Sequence, residues 1–188
     1  MQAILQSFAL VFASEMGDKT QLLALVLALR YKKPLVVMAG ILVATLLNHG
    51  LASLAGGWIG IQFSEQTLRL ALAIIFFGFA LWILVPDKLD DEEEGKTRNQ
   101  ANAFLTTVVL FFLAEMGDKT QLATLALGAT FQMPWAVTFG TTLGMLAADG
   151  LAVVFGERLT KVVPMKAIRI FSALLFAGFG LGILLSWI

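Results

Sequence analysis

Glu15, Asp18 and Lys19 stand in the octapeptide Glu15-Met16-Gly17-Asp18-Lys19-Thr20-Gln21-Leu22. The same eight residues return 100 positions later as Glu115-Met116-Gly117-Asp118-Lys119-Thr120-Gln121-Leu122. Each copy lies near the middle of a long apolar run. A charge at the centre of a membrane helix costs about 2.5–3.5 kcal/mol on insertion scales, so the six charges would cost roughly 15–20 kcal/mol if unpaired. Repeating them at bilayer depth implies a use. On a continuous helix, residues three and four apart share a face, which places Glu15 with Asp18 and Glu115 with Asp118. Four converging carboxylates suit a hard divalent cation, which takes oxygen ligands. Gly17 and Gly117 remove bulk beside them and allow a kink that frees a backbone carbonyl. Thr20, Gln21, Thr120 and Gln121 offer neutral oxygens. The four carboxylates and two lysines sum to −2, the charge that one M²⁺ neutralises.

A purely structural reading pairs Glu15 with Lys19 and Glu115 with Lys119 at i,i+4. It leaves both aspartates without partners. Clustered, desolvated carboxyls favour the protonated form, so protons and metal compete for the same oxygens. The chemistry expected is export of a divalent cation from the cytosol in exchange for protons.

The elements that must position these residues follow from composition. The 188 residues are 59% hydrophobic, with mean hydropathy +0.85, more apolar surface than a soluble core uses. Net charge is zero and there is no cysteine. That excludes a basic nucleic-acid patch, a thiolate metal site and a disulfide framework. The start, Met1-Gln2-Ala3-Ile4, lacks a basic segment, and Glu15 interrupts the apolar run, so no cleaved signal peptide is expected. Six stretches can each cross a hydrocarbon core of about 30 Å: Ala3 to Leu29, Leu35 to Ile59, Leu68 to Val85, Ala103 to Ala129, Trp135 to Phe155, and Ile168 to Ile188. Pro34, Pro86, Pro134 and Pro164 fall between them, and Trp58, Trp82, Trp135 and Trp187 lie near their ends.

The repeat extends beyond the octapeptide. At the same offset Phe12 matches Phe112, Pro34 matches Pro134, Gly50-Leu51-Ala52 matches Gly150-Leu151-Ala152, and Gly78-Phe79 matches Gly178-Phe179. The expected fold is an all-α membrane protein with six transmembrane helices. Residues 1–86 form one three-helix repeat, 87–101 an acidic linker, and 102–188 the second repeat. Three spans per repeat invert the second relative to the first, an arrangement that underlies alternating access. Ten basic residues follow spans 1, 3 and 5 (Arg30, Lys32, Lys33, Lys88, Lys96, Arg98, Arg158, Lys161, Lys166, Arg169), against Arg69 on the other side. The positive-inside rule makes that set cytoplasmic and puts both termini outside. The linker run Asp90-Asp91-Glu92-Glu93-Glu94 reads as a solvated cytoplasmic loop.

Small residues recur every fourth position in spans 2 and 5: Gly40, Ala44, Ala52, Gly56 and Gly60, and Gly140, Gly144, Ala148, Ala152 and Gly156. Such stripes let helices approach closely in lipid. Beside them lie Asn48, His49 and its counterpart Asp149. An intramembrane Asp is a site or proton-relay candidate by default. Asn48 is a weaker candidate, and a lone His reads more simply as a helix contact.

The doubled Glu-Met-Gly-Asp-Lys-Thr motif in a six-span chain with an acidic connector resembles the Gdt-type family of cation transporters. The resemblance covers essentially the whole chain. The family includes bacterial manganese exporters and Golgi manganese/calcium transporters. The resemblance implies Mn²⁺, with Ca²⁺ as second candidate, exchanged for protons in a bacterial inner membrane. It implies roles for Glu15, Gly17, Asp18, Lys19 and Thr20 and for Glu115, Gly117, Asp118, Lys119 and Thr120. It implies no enzyme activity and no resident cofactor, and a homo-oligomer is compatible with it. The residues themselves specify only an oxygen-loving divalent cation. Two other classes are set against this: an intramembrane aspartyl protease using Asp18 and Asp118, and an exporter of amino acids or small organic molecules.

Overall fold

A computed structural model describes residues 1–85, 103–155 and 165–185. The linker 87–101, Pro86, Arg158, Lys161, Pro164, Gly156 and Trp187 lie outside the described residues. The described residues form eight α-helices and no strand: α1 (Gln2–Glu15), α2 (Lys19–Tyr31), α3 (Pro34–Gly60), α4 (Glu65–Trp82), α5 (Ala103–Glu115), α6 (Lys119–Phe131), α7 (Pro134–Phe155) and α8 (Met165–Leu184).

Four of these, α3, α4, α7 and most of α8, are long and apolar enough to cross a bilayer. The expected continuous spans from Ala3 to Leu29 and from Ala103 to Ala129 are each two helices, α1 with α2 and α5 with α6. At 1.5 Å per residue, a helix of 13 or 14 residues extends about 20 Å, so neither half crosses alone. The break falls inside the octapeptide. Gly17 and Gly117 take φ of +83° and +77°, a left-handed conformation that costs a residue with a Cβ roughly 1–2 kcal/mol. Asp18 and Asp118 then start the next helix as N-caps with ψ near 168° and 167°. The continuous helix expected to pair Glu15 with Asp18 and Glu115 with Asp118 at i,i+3 is therefore absent, and across the break only the second pair comes together.

The connections out of α2 and α6 match each other. Lys32 and Gln132 end those helices in the left-handed region with φ 52° and 51°. Their N–H groups donate to Ala28 O and Gly128 O, and Pro34 and Pro134 open the next helices.

The small-residue stripes carry contacts between the two halves of the sequence. On α3, Gly40 lies against Phe104 and Thr107 of α5, and Gly56 against Leu125 of α6. A Cβ on Gly56 would stand 1.9 Å from the Leu125 carbonyl oxygen, so only glycine permits that approach. On α7, Gly140 and Gly144 receive the backbone of α1 at Ile4 and Phe8. Helices α4 and α8 pack on each other through Phe76, Phe79, Phe176 and Phe179. Their pair is set unevenly. Helix α4 also lies on α6 and α8 on α1, while neither packs comparably on α2 or α5 among the described residues.

Candidate functional site

The two helix breaks bring the octapeptides together. Glu15 and Glu115 are the last residues of α1 and α5 and are buried, 0% and 1% exposed. Each is held the same way across its own break. Thr20 Oγ1 donates to Glu15 Oε2 at 2.7 Å, and Thr120 Oγ1 donates to Glu115 Oε2 at 2.7 Å. The threonines thus serve as donors that fix the glutamates. This leaves Oε1 of each glutamate buried without a hydrogen-bond partner among the described residues, as is Oδ2 of Asp118. One carboxylate oxygen from each of Glu15, Glu115 and Asp118 lies within 4.8 Å of the others.

Asp18, expected as the fourth member, stands outside that group. As the N-cap of α2 it turns Oδ1 onto the Lys19 amide at 2.8 Å. Asp118 makes no such cap bond. Its Oδ1 lies 3.7 Å from Lys19 Nζ. The lysine of the first motif therefore meets the aspartate of the second, in place of the Glu15–Lys19 pair of the purely structural reading. Lys119 is buried and its Nζ sits 6.0 Å from the ring centre of Trp82 on α4. Asp18, Lys119 and Arg169 line one small polar cleft.

Gln21 and Gln121 use their amide oxygens within their own breaks. Gly17 N donates to Gln21 Oε1 at 2.9 Å, and Gly117 N donates to Gln121 Oε1 at 2.7 Å. The amide nitrogens reach the other half of the chain. Gln21 Nε2 donates to Ala148 O of α7 at 2.8 Å. Gln121 Nε2 donates to Asn48 Oδ1 of α3. Asn48 Nδ2 in turn donates to Phe112 O at 3.3 Å.

Asp149 is fully buried, and neither of its oxygens has a hydrogen-bond partner among the described residues. His49 is equally buried, and its two ring nitrogens likewise find no partner. The carbonyls of Ala148 and Phe112 and the ring of Trp82 were not expected at the site. No side-chain pattern marks a backbone carbonyl in advance.

Three carboxylate oxygens no more than 4.8 Å apart surround a point about 2.8 Å or less from each, slightly beyond the ~2.3–2.6 Å range of Ca²⁺–oxygen bonds. A modest contraction suits a smaller oxygen-seeking ion.

The model of the divalent cation/proton antiporter GDT1 family matches residues 3–91 and 103–188 of this chain. The chain is 43% identical over 178 residues to a Vibrio cholerae protein named "Putative manganese exporter", covering 94% of this chain and 87% of that protein. It is 30% identical over 203 residues to Arabidopsis thaliana GDT1-like protein 3, covering 94% of this chain and 68% of the relative. Arabidopsis thaliana GDT1-like protein 5 is 28% identical over 222 residues, with 99% and 96% covered. No solved structure matches the chain.

Proposed function

The chain belongs to the GDT1 family of divalent cation/proton antiporters, and from that premise we propose that it exports Mn²⁺ from the cytosol in exchange for protons. It is a multi-pass membrane transporter and not an enzyme. The observation that carries the finer reading is the convergence of carboxylate oxygens from Glu15, Glu115 and Asp118, three residues that each hold one buried oxygen without a hydrogen-bond partner among the described residues. Each must be deprotonated to bind a divalent ion, so loading releases protons and protonation releases the ion. Ca²⁺ is the second candidate substrate, since the donors are all hard oxygens.

In this reading residues 1–86 and 102–188 are two inverted repeats of three spans, with α1–α2 and α5–α6 as the two broken spans. Discontinuous helices meeting near the midplane form ion sites in other transporters. The termini face outward and the linker 87–101 faces the cytoplasm of a bacterial inner membrane, by the distribution of lysine and arginine. Helices α1 and α6 then share the outer half of the bilayer. The α4–α8 pair covers that half, where it packs on both. Among the described residues the half formed by α2 and α5 is less covered. Helix α4 ends, at Trp82 and Ile83, beside Lys119 and Asp18.

Purified protein in proteoliposomes tests this. Mn²⁺ flux that accelerates under an opposed proton gradient, with measurable proton counterflow, is expected. Flux indifferent to the gradient would overturn the antiport, and no Mn²⁺ flux would overturn the substrate.

A further inference from the structure

We propose that Gln21 and Gln121 are positioning residues that tie each helix break to the opposite half of the molecule, and that Asn48 is the side-chain anchor of the second tie. The proposal rests on the transport reading for its functional consequence, though not for its geometry.

A helix break leaves orphan backbone groups without intrahelical partners, here the N–H groups of half-buried Gly17 and exposed Gly117. Each glutamine answers this with its two ends. Its carbonyl oxygen takes the N–H of the left-handed glycine. Its amide nitrogen, which a metal has no use for, reaches across to position 148 or position 48. These positions match under the 100-residue offset, so the same tie is built twice. It spans from the glycine beside one glutamate to the helix of the other half that flanks the cluster. Glu15 and Glu115 each sit two residues before the tied glycine. Their carboxylates are thereby held against a fixed frame from the opposite repeat. A glutamine whose oxygen is taken by a backbone N–H acts on the ion through the glutamates.

The two ties differ in one respect. Gln21 ends on a backbone carbonyl, Ala148 O, which side-chain substitution leaves in place. Gln121 ends on Asn48, whose Nδ2 continues to Phe112 O on α5. Asn48 thus joins α3, α5 and α6. The second tie can be cut at Asn48 without altering either octapeptide.

The test combines hydrogen exchange of the full-length protein with Mn²⁺ flux in proteoliposomes. In Asn48→Leu, exchange in the peptide spanning 113–121 rises about tenfold while 13–21 stays as in the wild type, the size expected for the loss of one half-buried bond. Gln21→Leu gives the reverse pattern. In flux, Asn48→Leu raises the KM for Mn²⁺ about tenfold and leaves the maximal rate within about twofold. The double variant Asn48→Leu/Gln121→Leu does no worse than the poorer single variant, because both ends of one tie are removed together. Unchanged exchange at 113–121 in Asn48→Leu would overturn the tie, and so would multiplicative losses in the double variant. An elevated KM in Gln121→Leu alone, with Asn48→Leu unaffected, would make Gln121 a direct ligand and overturn the positioning role. A wild-type protein without Mn²⁺ flux removes the transport reading, and the exchange pattern still decides the tie.

Discussion

Asp18 and Asp118 occupy the same place in identical octapeptides, yet Asp18 turns its carboxylate onto the Lys19 amide while Asp118 joins Glu15 and Glu115. Lys19 reaches across to Asp118, whereas Lys119 is buried and lies over Trp82. Identical sequence in different settings teaches that the assignment of roles comes from packing. The α4–α8 pair rests on α1 and α6 and so makes the two breaks inequivalent. In a transporter built from matched halves, any one state is asymmetric, and exchanging the conformations of the halves yields the opposite state. On the proposed function, Asp18 and Asp118 trade places as third carboxylate through the cycle.

The largest effect belongs to the part that the two copies share. Glu15 and Glu115 have the same burial, the same threonine donor and the same free oxygen. Glu15→Gln and Glu115→Gln are each expected to reduce Mn²⁺ flux by more than about 100-fold, beyond the 10–100-fold typical of outer-shell partners. Elemental analysis of cells under Mn²⁺ stress should show both variants accumulating metal like a deletion. A strong loss in only one of them would break the symmetry claimed for the glutamates.

The next effect separates the copies. Asp118→Asn removes a carboxylate from the cluster and should weaken equilibrium Mn²⁺ binding by about 100-fold. Asp18→Asn keeps a competent N-cap, since Asn and Asp cap equally well, and should shift binding by no more than about threefold. Titration calorimetry on the purified protein checks this, and equal losses would place Asp18 in the cluster after all. Turnover should fall in both variants, because both states are visited.

How much of this could be read from sequence depends on which residues carry it. The apolar runs marked an all-helical membrane protein, and the duplicated octapeptide marked the carboxylates. The helix breaks were passed over because hydrophobicity runs on through Met16 and Met116 on both sides of the motif. A signal was present in Gly-Asp, since glycine favours the residue after a helix and aspartate the residue before one. Gly17 and Gly117 were read as removing bulk beside the carboxylates and permitting a kink. The unequal roles of Asp18 and Asp118 had no signal at all, because two identical segments cannot encode a difference between themselves. The glutamines were read as offering neutral oxygens. Gln21 Nε2 donates to the Ala148 carbonyl, and Asn48, which accepts from Gln121, donates in turn to the Phe112 carbonyl, backbone groups that no residue type announces.

A smaller effect tests the breaks themselves. Around Gly117 a Cβ would meet nothing within 4 Å, so Gly117→Ala pays only for its φ of +77°, about 1–2 kcal/mol. That corresponds to a fall in melting temperature of roughly 2–8 °C for a chain of this size. Gly178 lies within α8 with equally open space, and Gly178→Ala should stabilise slightly, since alanine is the better helix former by about 1 kcal/mol. Differential scanning of the two variants in one detergent gives the sign directly. A neutral Gly117→Ala would mean that the break is helical in solution.

The smallest effect concerns the lysines. Lys19 Nζ stands 3.7 Å from Asp118 Oδ1, the place where an arriving cation would neutralise the same carboxylate. A tethered ammonium and a metal ion therefore compete electrostatically for Asp118. The Lys19 side chain is 29% exposed, which weakens the pair to about 0.2–1 kcal/mol. Lys19→Met should accordingly tighten Mn²⁺ binding by up to about fivefold, the equivalent of the upper end of that range. Lys119→Met should not tighten it, because Lys119 lies by Trp82. The difference should shrink as salt rises, since an exposed pair is screened over about 8–10 Å at physiological ionic strength. Tighter binding combined with slower release would locate the purpose of the cross-paired lysine in letting the ion go. Weaker binding in Lys19→Met would instead make the lysine a support for Asp118.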